Sequence, residues 1–120
     1  MRGPNFIALH KLFDKATDEV RGFGDVIAER IGELGGVALG TARVAAQTSE
    51  LKEYPLDIAD GQSHVEAVSS ALANFGARVR AAIDETDKIG DKDTADIFTE
   101  VSRGVDHQLW LVEAHAQGKR

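Results

Sequence analysis

Asn5 to Glu33 reads NFIALHKLFDKATDEVRGFGDVIAERIGE, and the reading of this stretch decides the fold. Apolar side chains recur at Phe6, Leu9, Phe13, Val20, Phe23, Ile27, Ile31 and Leu34, the alternation of three and four that gives an amphipathic helix one buried face. Pro4 suits the first helical position and Gly35-Gly36 suits the exit, so the spacing predicts one long helix bounded at both ends.

Beside the apolar stripe the same helix carries His10 and Asp14, one turn apart, and then Asp25 and Glu29, again one turn apart. Eleven residues separate Asp14 from Asp25, close to three whole turns, so the two pairs share a face but lie about 16 Å apart along the axis. No single ion spans that distance. A second copy of the helix packed antiparallel across a two-fold axis closes it, bringing His10 and Asp14 of one chain against Asp25 and Glu29 of the other. The axis then falls near residues 19 and 20, with the two symmetry-related sites roughly 22 Å apart. Gly22 and Gly24 lie close to that crossing, where the lack of a side chain admits a second backbone at a cost of about 1 kcal/mol of helix propensity each.

One imidazole with three carboxylates is a hard, oxygen-rich donor set. It suits iron or manganese better than structural zinc, which favours thiolates and imidazoles, and iron is the better match because carboxylates favour Fe(III) over Fe(II). Any one of these residues alone would pass for an ordinary charge on a helix flank. The four in register under an antiparallel dyad make His10, Asp14, Asp25 and Glu29 the candidate ferroxidase ligands.

The remaining chain is consistent with a single all-α domain over residues 1–120. The only prolines are Pro4 and Pro55, so long helices are unobstructed. The absence of cysteine excludes disulfides, thiolate metal sites and cysteine nucleophiles. No apolar run approaches the length of a membrane span and the N-terminus lacks a signal-peptide pattern, which makes a cytoplasmic protein the default. Twenty acidic against 14 basic residues give a net charge of −6, which opposes attraction to DNA phosphates.

Gly35 to Asp60 is too long for a bare connection, and Thr41 to Gln47 is its expected short helix. Ser63-x-x-Glu66 reads as a capping box, with Asp60 the alternative start one turn earlier. Val65, Val68, Leu72, Phe75, Val79, Ala82 and Ile83 then carry a second long helix to Gly90. His64 has no acidic partner at helical spacing and reads as a surface residue. The third long helix runs from about Asp91 to Asp93 up to Gln117, burying Phe98, Val101, Val105, Leu109 and Val112. Trp110 and Leu111 fall off that stripe, at a subunit contact or a partly covered edge. Asp91, Asp93, Asp96 and Glu100 at its start read first as capping and dipole-matched charges.

The runs NFIALHKLFD, GDVIAERIGELGGVALGT, LKEYPLDI, GDKDTADIFTEVSRGVD and LWLVEAH resemble the Dps family, the ferritin-like DNA-protection proteins of starved cells. The resemblance extends over essentially the whole chain. It implies a ferritin-like up-down helical bundle in which a long crossover links two parallel helices and lies at the dimer contact. It also implies that the ligands His10, Asp14, Asp25 and Glu29 are shared between subunits. The implied assembly is a homo-oligomer, a hollow dodecamer built from two-fold dimers. It would oxidise Fe(II) with hydrogen peroxide or dioxygen and store the ferric product. Asp91, Asp96 and Glu100 become candidates for an iron-entry pore on the same ground.

The family begins with a further long helix that ends in His-Trp-Asn before Arg-Gly, and its histidine is another iron ligand. Here the sequence opens Met1-Arg2-Gly3, so three long helices are expected, without at least part of that first helix. An internal methionine taken as the start and a genuine truncation both give this sequence. An ordinary ferritin is disfavoured, because none of the nine glutamates is followed three residues later by histidine. Two other readings stand beside the ferroxidase: a nucleoid protein that coats DNA through Arg2, Lys119 and Arg120, and an inactive fragment with an exposed apolar groove. The −6 charge and the short tail Gly118-Lys119-Arg120 argue for weak or absent DNA binding.

Overall fold

A computed structural model describes residues 1–117. It contains α1 (Phe6–Glu33), α2 (Ala42–Thr48), α3 (Gly61–Lys88) and α4 (Lys92–Glu113), followed by a 3-10 turn at Ala114–Ala116. Among the described residues there is no strand, only an isolated parallel bridge between Arg2 and Asp60. Three long helices and a crossover with one short helix are what the apolar spacing predicts. The tail from Gly118 lies outside the described residues.

Helix ends show which local signals prevailed. At the exit of α1, Gly35 takes a φ of +87°, and Gly36 N donates to Ile31 O at 2.8 Å while Gly35 N donates to Gly32 O at 3.0 Å. This paired closure needs a left-handed residue after the last turn, which glycine adopts without a Cβ penalty. Gly90 ends α3 in the same way. Pro4 does not occupy the first helical position. Asn5 is the cap residue, and Pro4 sits in the turn before it, where Phe6 N donates to Gly3 O at 3.1 Å. The capping box at Ser63 gives way to Asp60, whose Oδ1 accepts from Ser63 N at 2.8 Å and whose Oδ2 accepts from Ser63 Oγ at 2.7 Å. With Ser63 Oγ spent on Asp60, the helix starts one turn earlier than the box would place it.

Arg2 N donates to Ala59 O at 2.6 Å, which brings the start of α3 beside the start of α1, so these two helices run parallel. At the other end Arg30 near the C-terminus of α1 reaches Asp91 at the start of α4, so α4 runs antiparallel to α1. Leu9, Val65, Leu72, Val79, Val101, Val105 and Val112 form the buried core, with Phe13, Val20, Phe23, Ile27, Val68, Phe75, Phe98 and Leu109 packed around it. These are the expected stripes. The exceptions are Phe6, Ile31 and Leu34 at the ends of α1, which remain exposed; off the stripe of α4, as expected, Trp110 is 61% exposed while Leu111 beside it is half-buried.

The packing is tightest where Gly104 of α4 meets Phe23 of α1: a Cβ at Gly104 would fall 2.2 Å from Phe23 Cζ. The opposite flank of α1 is looser. There a cavity of roughly 450 Å³ opens between α1, the crossover and α3, lined by Phe13, Val20, Leu51, Tyr54, Val68 and Phe75 among others.

Candidate metal centre

With 100° of rotation per residue, His10, Asp14, Asp25 and Glu29 fall within an arc of about 100° on the side of α1 opposite Leu9 and Ile27. All four are exposed, as that position requires. His10 Nε2 stands 3.7 Å from Asp14 Oδ2, with the two side chains 53% and 70% exposed. Phe6 stacks on the imidazole with ring centroids 5.5 Å apart and planes 4° from parallel, holding the ring one turn above the Asp14 carboxylate. Asp25 and Glu29 repeat the one-turn spacing further along the helix.

One chain does not bring the two pairs together. Among the described residues no three His, Cys, Asp or Glu side chains gather where one ion would reach them. Each pair on its own offers two donors one helical turn apart. Between the two pairs the same face carries the exposed side chains of Asp18 and Arg21, while nothing among the described residues stands within 4 Å of a Cβ built at Gly22 or Gly24 beside it.

Asp91, Asp96 and Glu100 are placed differently from one another. Asp91 is committed: its Oδ1 accepts from Thr94 N at 3.1 Å and from Arg30 Nη2 at 3.2 Å, and its Oδ2 accepts from Thr94 Oγ1 at 2.6 Å. The Thr94 hydroxyl, then its backbone N–H, then the Arg30 guanidinium hold the Asp91 carboxyl below its ordinary range. The capping reading of Asp91 thus holds. Asp96 and Glu100 are exposed one turn apart, and Glu100 borders a shallow depression with Lys15, Asp18 and Glu19 of α1.

Two polar contacts had no signal in the sequence. Arg30 ties α1 to α4 through Thr94 Oγ1 at 2.9 Å and Asp91, partners more than 60 residues away in the chain. His64, read from sequence as a surface residue, is half-buried; its Nδ1 lies 2.6 Å from Tyr54 Oη and its ring stacks on Tyr54. An aromatic partner ten residues upstream falls outside helical spacing, and only the folded crossover delivers it.

The chain matches the family described as "Ferritin-like domain" over residues 1–120. It is 44% identical over 119 residues to the DNA protection during starvation protein of Agrobacterium fabrum, covering 99% of this chain and 74% of that one. Among solved structures, DpsC from Streptomyces coelicolor superposes with a TM-score of 0.93 at 31% identity, over 100% of this chain and 70% of that one. Dps from Staphylococcus aureus gives 0.90 at 28% identity, over 98% and 78%.

Proposed function

Because the chain belongs to the Dps family of ferritin-like proteins, we propose that it is a ferroxidase and iron-storage subunit whose site is completed by a second copy of itself. Fe(II) is the substrate. His10 and Asp14 of one chain and Asp25 and Glu29 of the other hold it, and their three carboxylates favour the ferric product. Hydrogen peroxide or dioxygen takes the electrons. With peroxide, two Fe(II) ions supply one electron each and, with two protons from solvent, the oxidant leaves as two waters, so no hydroxyl radical is released to damage DNA. The ferric product is stored inside a homo-dodecamer, and Asp96 and Glu100, with Asp91 at their base, edge an iron-entry pore in that shell.

The observation that carries the reading is the arrangement on α1. Two complementary pairs lie on one exposed face, and Gly22 and Gly24, between them in the chain, leave open space where a second helix can cross. A within-chain site has no such geometry available among the described residues.

The test separates a shared site from a local one. His10→Ala and Glu29→Ala, prepared separately, should each lose most Fe(II) oxidation, since every site in either homodimer lacks a ligand. Unfolded, mixed and refolded together, they should recover activity: in a mixed dimer one interface carries both substitutions and the other carries neither. With random pairing about half the dimers are mixed, so roughly a quarter of the sites return. Mixed dimers confirmed by mass that oxidise no faster than the single variants would overturn the inter-subunit reading.

A further inference from the structure

Packed antiparallel across the two-fold axis, α1 and its copy meet in one register, with His10 level with the partner's Glu29 and Asp14 level with the partner's Asp25. That register also sets Asp18 level with the partner's Arg21, and Arg21 with the partner's Asp18, each within about 2 Å of the axis as measured along the helix. At 100° per residue both fall inside the arc of the four proposed ligands, about 30° to either side of its middle. Both side chains are exposed, and among the described residues neither makes an ion pair. Their spacing in the chain does not account for this, since Arg30 and Glu33, also three residues apart, are paired at 3.2 Å.

Charge distinguishes the middle of this face from its ends. Each end gathers three carboxylates, Asp14 from one chain with Asp25 and Glu29 from the other, and these repel one another until a cation enters. The unlike charges of Asp18 and Arg21 supply attraction at the axis, where the open space at Gly22 and Gly24 lets the two helices come close.

We propose that Asp18 and Arg21 form two symmetry-related ion pairs across the two-fold axis, and that these pairs set the register in which a second copy of this chain completes the metal site. The proposal rests on the shared-site reading for the register and adds what holds it. Neighbouring registers lose the match. A slip of four residues in one direction sets Asp18 against the partner's Asp25, a like charge. The opposite slip sets Asp18 against the partner's Thr17 and spends Arg21 on the partner's Asp14, a proposed ligand. The pair therefore acts by specificity, favouring the one register that leaves all four ligands to the metal.

The test uses the full chain without metal. Asp18→Arg and Arg21→Asp are prepared separately, and each should associate at least about tenfold more weakly than the parent, two unlike contacts having become two like ones. Refolded together, the two variants should form mixed dimers well beyond the proportion of about half that random pairing gives, because a chain with two arginines at the axis then faces a chain with two aspartates. A chain carrying both substitutions should associate like the parent, its pairs merely reversed. Native mass measurement resolves the three dimers, and circular dichroism checks that the helices are intact. Random pairing of the two variants overturns the proposal, as does a doubly substituted chain that associates as weakly as either single one, and both results leave the shared site standing. A parent chain that stays monomeric overturns the two together. Mixed dimers that assemble selectively yet fail to oxidise Fe(II) support the ion pairs and count against the iron chemistry alone.

Discussion

Gly104 owes its identity to a distance. Phe23 Cζ occupies the space where a Cβ would stand, and the aromatic ring is itself packed against the core. Gly104→Ala should therefore destabilise the chain by about 1–3 kcal/mol, the usual cost of overpacking, despite its better helix propensity. Urea denaturation measures it, and adding Phe23→Leu should return part of the loss. A second residue-scale prediction concerns acid. Asp91 has its pKa lowered by Thr94 and then Arg30, and Asp60 has its pKa lowered by Ser63, both relative to an ordinary 3.8. A carboxylate whose folded pKa lies below its unfolded one contributes stability that is complete above the unfolded value and is lost as pH falls through the folded one. Denaturation midpoints should thus hold down to about pH 4 and decline below it. Asp91→Asn should lower stability near neutrality while flattening part of that acid decline, the remainder belonging to Asp60. A variant with an unchanged acid profile would remove Asp91 from this role. The capping part of that role was legible at Asp91, because a carboxylate just before an apolar-periodic run has a local reason to be there. The Arg30 part was not, since its partner is set by packing of distant elements.

At the scale of elements, α1 is two-sided, and its sides were unequally legible. The inward side was written in its apolar period: Leu9, Phe13, Val20, Phe23 and Ile27 pack where the three-and-four spacing puts them. Its ends were less so. Phe6, Ile31 and Leu34 continue the period yet stay exposed, since a period reports a face and not how much of the face a single chain can cover. Of the two starts the sequence offers for α3, Asp60 prevails over the Ser63 box because it takes the Ser63 N–H and its second oxygen engages Ser63 Oγ. The outward side of α1 bears the four proposed ligands, and the spacing that joins them also implies a crossing near Gly22 and Gly24. Substituting Gly22→Ala or Gly24→Ala separates folding from association. Each should leave the single chain as stable or more so, by up to about 1 kcal/mol of helix propensity, because open space surrounds both positions. Each should also weaken the two-fold dimer and, with it, Fe(II) oxidation. Sedimentation at graded concentration reads the dimer and thermal denaturation reads the chain. Variants that associate as tightly as the parent would move the crossing elsewhere on α1.

Ile7, Val37, Leu39, Leu56, Ile89 and Trp110 all stand more than half open, apolar side chains that other copies would cover in the proposed assembly. That surface favours assembly, and native mass measurement should find two-fold dimers and a closed dodecamer, with a well-behaved monomer counting against both. No sequence period encodes a twelve-subunit shell; that expectation comes from family membership, whereas the two ligand pairs proposed on α1 come from spacing alone. Among the described residues, no helix is long and apolar enough to cross a membrane. Assembly also decides how the molecule meets DNA. Each subunit carries a net charge of −6, so every copy added to a shell deepens a field that repels the phosphate backbone. The basic residues that would have to overcome it are few: Arg2 is exposed beside the start of α3, and Lys119 and Arg120 lie outside the described residues. Binding through so few phosphate contacts should be weak and should disappear as salt displaces them, because affinity falls with each released counterion. Duplex DNA should therefore shift little in a mobility assay at about 0.15 M salt, where charges more than about 8 Å apart are largely screened. Any binding at low salt should decline with a shallow slope that reflects only a few contacts. If duplex is instead retained tightly at that ionic strength, protection acts through a basic surface that only the assembled shell presents. Arg2→Glu would then be the first substitution to show whether the N-terminal edge belongs to it.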